Sequence, residues 1–188
     1  MSGALFAAWR PGGPGRERLA RLVAGVLEAR PADAPRLRPV RPDQLHLTLC
    51  FAGRDRLEQV DARVLAALAA VAGRTPPLAL HLAAIEHWPA AGVVVAVAAP
   101  CPALQALCDA TCAALHAAGL PPARPTTRPH VTLARLGRRE APQEWPALAP
   151  CDPAPLRMAS MELLHNPGGG YAALGRWPLT GAPDAPGP

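Results

Sequence analysis

Two short stretches of this 188-residue chain carry the same residue types in the same order. LHLTLCFAGR begins at Leu45 and PHVTLARLGR begins at Pro129. Aligned on their histidines, both stretches have a threonine two residues later and a Gly-Arg pair near the end, at a constant offset of 84 residues. The matched pairs are His46 with His130, Thr48 with Thr132, Leu49 with Leu133, Gly53 with Gly137, and Arg54 with Arg138. The repeat predicts that one chain builds the same functional strand twice.

A histidine and a threonine two residues apart on a strand point to the same face, because strand side chains alternate. His46 and Thr48 would then share a polar face, and so would His130 and Thr132. A polar face of this kind is costly in a core, but it is useful in a cleft. One His-x-Thr strand has little meaning by itself, whereas two matching copies indicate a shared site.

Two facing imidazoles suit in-line displacement at phosphorus. One imidazole can accept a proton from the attacking water while the other, as imidazolium, donates to the leaving alkoxide. The two hydroxyls can hold non-bridging phosphate oxygens as charge develops. This chemistry requires no metal, and the sequence has no clustered carboxylates of the kind that a two-metal phosphodiesterase needs. We therefore expect neither a metal nor a cofactor.

The composition limits the alternatives, because the chain has no lysine and all 19 basic side chains are arginine. This excludes a Walker-type phosphate loop, a Schiff base and a lysyl-nucleotide intermediate. A net charge of +5 and a pI near 9.5 are compatible with a polyanionic partner. Five irregularly spaced cysteines without a CxxC pair favour buried thiols over disulfides or a zinc site.

The apolar runs are too short for a transmembrane helix, and the first residues lack a basic leader. These features predict a cytoplasmic protein that does not bind membranes. The length fits one domain, or two small lobes that share a core. We expect a single domain over residues 1–180 and a disordered tail over 181–188.

Hydrophobic periodicity and turn residues predict five strands, three helices and a final hairpin. Strands are predicted at 4–9, 44–51, 78–88, 92–98 and 129–136, and the hairpin joins 156–165 to 171–179 across residues 166–170. Helices are predicted from the first Gly-Pro cluster to about residue 30, at 55–71, and at 101–118 with Gly119 ending the last. Residues 30–42 are predicted to be a proline-rich connector.

This order favours an α+β fold with mostly antiparallel sheet over a regular parallel α/β fold. Because one motif falls in each half of the chain, we expect two similar lobes with outer helices. The cleft between these lobes would carry one His-x-Thr strand from each lobe.

The paired HLTL and HVTL resemble the two HxTx signatures of the two-histidine (2H) phosphoesterases. The closest resemblance is to the bacterial and archaeal RNA 2′,3′-cyclic phosphodiesterases, once named 2′-5′ RNA ligases. LFAAWRP resembles the first strand of that branch, VRPDQLHLTLCFAG and RPHVTLAR its motif segments, and YAALGRWPL its last strand. The chain departs from the branch where Pro39 or Val40 replaces an aromatic residue, where Phe6 stands without a second Phe, and where Asn166 replaces a serine.

The resemblance implies hydrolysis of RNA ends or nucleotides that carry a 2′,3′-cyclic phosphate, giving a 2′-phosphate, by a protein that we expect to be a monomer. It implies that His46 is the proton donor, that His130 is the proton acceptor, and that Thr48 and Thr132 bind phosphate. Arg135 stands at the family's arginine position and could bind phosphate with two hydrogen bonds. Strand alternation points Arg135 away from His130, so this role requires a bend or bulge.

Two other functions are compatible with the same residues. The same centre could join RNA ends through a 2′-5′ bond without ATP, as a side activity, whereas a non-catalytic protein would only bind RNA or a cyclic nucleotide. We also expect Arg135 to lower the pKa of the nearer His130, so that His46 stays protonated more easily. The four remaining histidines, for which we expect surface or packing roles, are His81, His87, His116 and His165.

Overall fold

The computed structural model describes residues 3–30, 36–136, 148–150 and 154–182. Gly137 and Arg138, which end the second copy of the repeat, lie outside the described residues. So do residues 183–188 of the predicted tail, whereas the amide of Gly181 donates a hydrogen bond to the Thr75 carbonyl (3.0 Å).

The described residues form eleven strands and three α-helices. The strands are β1 (Ala4–Trp9), β2 (Leu37–Pro39), β3 (Leu47–Arg54), β4 (Leu78–Leu80), β5 (Leu82–Trp88), β6 (Val93–Ala98), β7 (His130–Leu136), β8 (Leu148–Pro150), β9 (Leu156–Met158), β10 (Ser160–Asn166) and β11 (Ala172–Pro178). The helices are α1 (Gly13–Glu28), α2 (Ala62–Arg74) and α3 (Pro102–Ala117). No helix of the described part of the chain is long and apolar enough to cross a bilayer.

Nine strands form one antiparallel sheet in the order β11-β10-β1-β3-β7-β6-β5-β8, with β2 paired to β7. Strands β4 and β9 form a separate two-stranded sheet. The predicted α+β class with mostly antiparallel sheet is confirmed. The two motif strands, β3 and β7, lie side by side in the middle of the large sheet.

The three helices share one hydrophobic core with one face of this sheet. Leu47 and Leu49 of β3 and Val131 and Leu133 of β7 have no solvent exposure and point into that core. Helix α1 follows β1 but packs against β7, and α3 follows β6 but packs against β3. Each half of the chain therefore covers the motif strand of the other half.

The prediction of two separate facing lobes is not confirmed. β3 and β7 pair directly, through Leu47 opposite Val131, so one continuous sheet runs through both halves. The motif residues consequently meet on a shared sheet face, the face opposite the helices.

Two predicted elements begin later than expected. The strand predicted at 44–51 begins at Leu47, because Pro42–Gln44 forms a short 3-10 helix. The helix predicted at 55–71 begins at Ala62, because the Asp61 side chain caps it by accepting hydrogen bonds from the Arg63 and Val64 amides (2.9 and 3.1 Å).

Three further differences concern short strands. The strand predicted at 78–88 divides into β4 and β5, because β4 leaves the large sheet to pair with β9. The predicted connector at 30–42 contains β2, and a segment predicted as loop contains β8. The end of α3 is as predicted, since Gly119 follows it with a positive φ of 87°.

Candidate active site

The four motif side chains lie around the Leu47–Val131 pair. Because these two residues point into the core, their neighbours along each strand point to the opposite face. Extending the antiparallel register by one residue places His46 opposite Thr132, and Thr48 opposite His130. Residues directly opposite each other have Cβ atoms roughly 4.5–5.5 Å apart. The register therefore brings both histidines and both threonines into one cluster with approximate two-fold symmetry.

The two histidines are anchored in the same way. His46 Nδ1 lies 2.8 Å from the Gln44 carbonyl, and His130 Nδ1 lies 2.7 Å from the Arg128 carbonyl, in each case two residues earlier in the chain. A carbonyl can only accept, so each Nδ1 carries the proton and donates it. Among the described residues neither Nε2 makes a hydrogen bond. Each imidazole thus presents Nε2 for proton transfer.

A β-bulge in β7 turns Arg135 toward the histidines. Val94 pairs with Ala134 and Val95 pairs with Thr132, so Leu133 is an extra residue. Leu133 and Ala134 both point into the core. Beyond such a bulge the alternation of faces is reversed, and Arg135 emerges on the same face as His130. The bend that its proposed role requires is therefore present.

The first motif strand has a bulge at the corresponding place. Ala7 pairs with Cys50 and Ala8 pairs with Thr48, leaving Leu49 as the extra residue of β3. Phe51 is thereby turned to the site face, where it packs near Phe6. The two bulges place Phe51 and Arg135 at equivalent positions of the two copies.

His46 lies in an aromatic environment. Its ring centroid is 5.0 Å from that of Phe6 and 5.1 Å from that of Tyr171, whose ring stands perpendicular to the imidazole. Burial lowers the pKa of His46 to about 4, and the positive charges of Arg135, His130 and Arg10 act in the same direction. The hydrogen bond to the Gln44 carbonyl opposes this shift. In the free protein His46 is therefore neutral near pH 7.

His130 also has a lowered pKa. Burial is the largest cause, followed among the charges by Arg128, Arg135 and Arg124, and the hydrogen bond to the Arg128 carbonyl opposes it. The expectation that Arg135 would leave His46 the more easily protonated histidine is not supported. Arg135 disfavours protonation of both rings, and burial holds the pKa of His46 near 4.

On the side of β5, the Trp88 side chain packs against His130, and the side chains of Glu86 and Arg128 contact Trp88. The Trp88 ring lies 4.5 Å from the imidazole, centroid to centroid, at an angle of 63°. Trp88 Nε1 donates to Glu86 Oε2 (2.7 Å), and Arg128 Nη2 donates to both oxygens of Glu86 (2.9 and 2.8 Å). The Arg128 guanidinium also lies 4.9 Å from the Trp88 ring centroid. We call Glu86, Trp88 and Arg128 the His130 brace.

A pocket of about 570 Å³ opens beside His46. His46, Thr48 and Arg135 line the end nearest the motifs. The remaining wall combines rings, arginines and polar groups and is formed by Ala4, Phe6, Arg41, Gln44, Phe51, Arg54, Asn166, Gly169 and Tyr171. We call the whole pocket, including the end at His46, Thr48 and Arg135, the basic pocket.

Most of the residues that surround the two histidines have no signal in the sequence. Trp88 and Glu86 come from a strand without a motif, and Tyr171 comes from the last hairpin. Arg54 carried a signal because it belongs to the repeat, and Phe6 and Asn166 were marked as departures from the family pattern. The others are brought to the site by strand order, which local patterns do not determine.

The other singled-out residues lie elsewhere. His81 and His116 are exposed, whereas His165 is buried in β10. Cys50 and Cys108 are buried free thiols, and burial raises the pKa of Cys108 to about 12. The described ranges contain no group of three or more histidine, cysteine or carboxylate side chains placed to hold a metal ion.

The fold and the paired motifs place the chain in a known class of enzymes. The profile of the 2′-5′ RNA ligase superfamily matches residues 16–170. The chain belongs to this superfamily, that of the 2H phosphoesterases.

Several solved structures are similar to this chain over nearly its whole length. E. coli LigT in complex with NADP⁺ is 28% identical with a TM-score of 0.70, and the alignment covers 96% of this chain and 99% of LigT. A structure described as a phosphoesterase is 26% identical, with a TM-score of 0.71 and the same coverage. TT0787 of Thermus thermophilus, at 24% identity, shares the fold with a TM-score of 0.72 over 95% of this chain and 98% of TT0787. No match was found among curated protein sequences.

Proposed function

We propose that this protein hydrolyses RNA or nucleoside 2′,3′-cyclic phosphates to 2′-phosphates by paired histidine acid–base catalysis. The observation that carries the proposal is the shared sheet face, on which two imidazoles with the same Nδ1 anchor each present Nε2 beside a threonine. Crystals of E. coli LigT with NADP⁺, ATP, 3′-AMP or phosphate bound support a nucleotide substrate by analogy.

The position of the basic pocket supports the assignment of the two proton-transfer roles. In an in-line displacement, water attacks phosphorus on the side opposite the leaving 3′ oxygen. The ribose remains attached to that oxygen, so the nucleoside lies on the side of the general acid. The pocket large enough for a nucleoside is bordered by His46. We therefore assign the proton donor to His46 and the proton acceptor to His130, without using the charge of Arg135.

The proposed step is balanced within the site. His130 Nε2 accepts a proton from water while the water oxygen bonds to phosphorus. The bond from phosphorus to the 3′ oxygen breaks, and His46 Nε2 gives its proton to that oxygen. The product carries a 2′-phosphate, and the two histidines end with exchanged protonation states, which solvent restores.

The donor role requires a protonated His46, which the free protein disfavours. A bound phosphate brings negative charge next to the imidazole and favours the imidazolium form, so substrate binding should raise the pKa of His46. Thr48 and Thr132 can donate hydrogen bonds to the non-bridging oxygens. Arg135, which has no ion-pair partner among the described residues, can stabilise the charge that develops on them.

The test is incubation with a panel of nucleoside 2′,3′-cyclic phosphates in excess EDTA, with products identified as 2′- or 3′-phosphates. We expect 2′-phosphate products. His46→Ala and His130→Ala should each lose about 10²–10⁴-fold in kcat. A better leaving group at the 3′ position should partly rescue His46→Ala but not His130→Ala. Wild-type turnover by either variant would refute the site, and rescue of His130→Ala alone would reverse the roles.

Ligation is the second candidate function, and membership of the 2′-5′ RNA ligase superfamily favours it. The same centre would join a cyclic phosphate end to a hydroxyl end without ATP, with the 5′ hydroxyl attacking phosphorus in place of water and the 3′ oxygen leaving. Because water competes at high concentration, we propose it only as a side activity. A non-catalytic binding protein is less well supported, since it would not require two histidines with matching anchors.

A further inference from the structure

We propose that the basic pocket is a subsite for the RNA nucleotides upstream of the cyclic phosphate, and that Arg54 contacts a backbone phosphate there. The inference rests on the proposed function. A 2′,3′-cyclic phosphate occupies the 3′ terminus of an RNA, so the remaining chain can leave the site only through the 5′ oxygen of the last ribose. The pocket beside His46 gives that chain a direction, over β3 and β1.

The strand register places Arg54 on the same face as the site. Phe6 pairs with Phe51, and Ala4 pairs with Arg54, so both pairs continue the surface that begins at Ala8 and Thr48. The side chain of Arg54 is exposed and lines the pocket. A continuous surface therefore runs from the motif threonine to this arginine.

The distance along this surface separates Arg54 from the cyclic phosphate. Thr48 pairs with Ala8 and Arg54 pairs with Ala4, so the bulges of β3 reduce the span to four residues of β1, about 13 Å at roughly 3.3 Å per residue. A mononucleotide carries its one phosphate at the histidines, so it offers no phosphate to an arginine at the far end of the pocket. An oligonucleotide can offer one, because its next phosphates follow the strand.

The pocket has the two components that sequence-tolerant single-strand binding needs. Phe6, Phe51 and Tyr171 provide ring surface against which bases can stack. Arg54 and Arg135 provide positive charge, and neither forms an ion pair within the described residues. In RNA binding, such arginines would replace counterions on the phosphates.

The opposite side of the motifs lacks this character. Beside His130 the sheet face is formed by Val93, Val95 and Val97, and Trp88 packs against them. Arg128, whose carbonyl anchors His130, is already paired with Glu86. In the basic pocket Arg41 is paired with Asp43, whereas Arg54 and Arg135 form no ion pair within the described residues. The contrast between Arg128 and these two arginines favours the His46 side for an anionic chain.

The experiment compares a nucleoside 2′,3′-cyclic phosphate with a tetranucleotide that ends in the same group, for the wild type and for Arg54→Gln. The matched control is Arg21→Gln, which removes an exposed arginine from α1 on the helix side of the sheet. Wild type should have a higher kcat/KM for the tetranucleotide. Arg54→Gln should lower kcat/KM for the tetranucleotide about 10-fold more than for the mononucleotide, as expected for one charge-assisted contact. Arg21→Gln should behave as wild type.

Binding of the product tetranucleotide, which carries a 2′-phosphate, gives a readout that does not depend on turnover. The slope of log affinity against log salt should decrease in magnitude by about 0.7 in Arg54→Gln, the value for one lost single-strand phosphate contact. Equal kcat/KM for the two substrates, or an unchanged salt slope in Arg54→Gln, would overturn the subsite. Salt-dependent tetranucleotide binding through Arg54, with no turnover of any cyclic phosphate, would retain the subsite and overturn the proposed function.

Discussion

Replacing Trp88 tests whether the His130 brace positions the imidazole that we propose as the proton acceptor. In the structure, the Trp88 ring contacts His130, and the Arg128 guanidinium lies over the same ring. The backbone carbonyl of Arg128 accepts the hydrogen bond from His130 Nδ1. Trp88→Ala removes both contacts at once. We expect His130 to leave its productive orientation for much of the time while substrate binding changes little.

The size of the effect follows from the two lost contacts. An aromatic pair contributes about 0.5–1.5 kcal/mol and an exposed cation–π contact about 0.5–1 kcal/mol, so about 1–2.5 kcal/mol of positioning is lost. At 1.36 kcal/mol per tenfold change in rate, kcat should fall by about 5- to 70-fold. The assay is steady-state turnover of a 2′,3′-cyclic nucleotide, with kcat and KM determined separately.

Trp88→Phe is the matched control for this prediction. It retains a ring against His130 and beneath Arg128, but it loses the Nε1 donor to Glu86. Its kcat should fall less than that of Trp88→Ala. A folded Trp88→Ala variant that keeps kcat within twofold of wild type, or in which KM alone changes, would refute the positioning role of Trp88.

Three further predictions concern charge, pH and packing. Glu86→Gln keeps the acceptor for Trp88 but removes the charge that neutralises Arg128. The pKa of His130 should therefore fall further, and the acidic limb of the pH–rate profile should move to lower pH. A shift of that limb to higher pH would contradict this prediction. His46 has a pKa of about 4 when folded and a reference value of 6.5, so the unfolded chain takes up the proton first and stability should fall as pH drops from about 6.5 to about 4. Urea unfolding across this range should show a smaller loss in His46→Asn, and an equal loss would exclude His46 as the cause. Leu47→Ala should cost about 2–5 kcal/mol of unfolding free energy, because Leu47 is fully buried at the contact between the motif strands, and a loss below 1 kcal/mol would contradict that packing.

The shared face of each motif could be predicted from the sequence, because it depends only on the alternation of side chains along a strand. Alternation along a strand sets His46 beside Thr48 and His130 beside Thr132, whatever the surrounding fold. The same rule pointed Arg135 the wrong way, because alternation fails across a bulge. The bulges at Leu49 and Leu133 arise from pairing with β1 and β6, so they depend on neighbouring strands that the local pattern does not specify.

Strand order accounts for most of what was not predicted. The two halves were expected to face each other as lobes, but α1 and α3 each cross to cover the other half. This exchange leaves β3 and β7 adjacent in one sheet. This adjacency determines which residues surround the histidines. The sequence around Glu86 and Tyr171 contains no pattern that predicts their position at the site.

The near symmetry of the motifs limits what can distinguish the two histidines. Both rings donate Nδ1–H to a backbone carbonyl two residues earlier, and both have a lowered pKa. The motif strands alone therefore do not determine which histidine donates the proton. The asymmetry lies in what surrounds them: a pocket with unpaired arginines beside His46, and a neutralised brace beside His130. In the proposed mechanism, a substrate that lies in the pocket brings its leaving oxygen to His46 and leaves the opposite face of phosphorus open to water near His130. The direction of proton transfer is then set by where the nucleotide binds, and it should reverse only if the nucleotide binds on the other side.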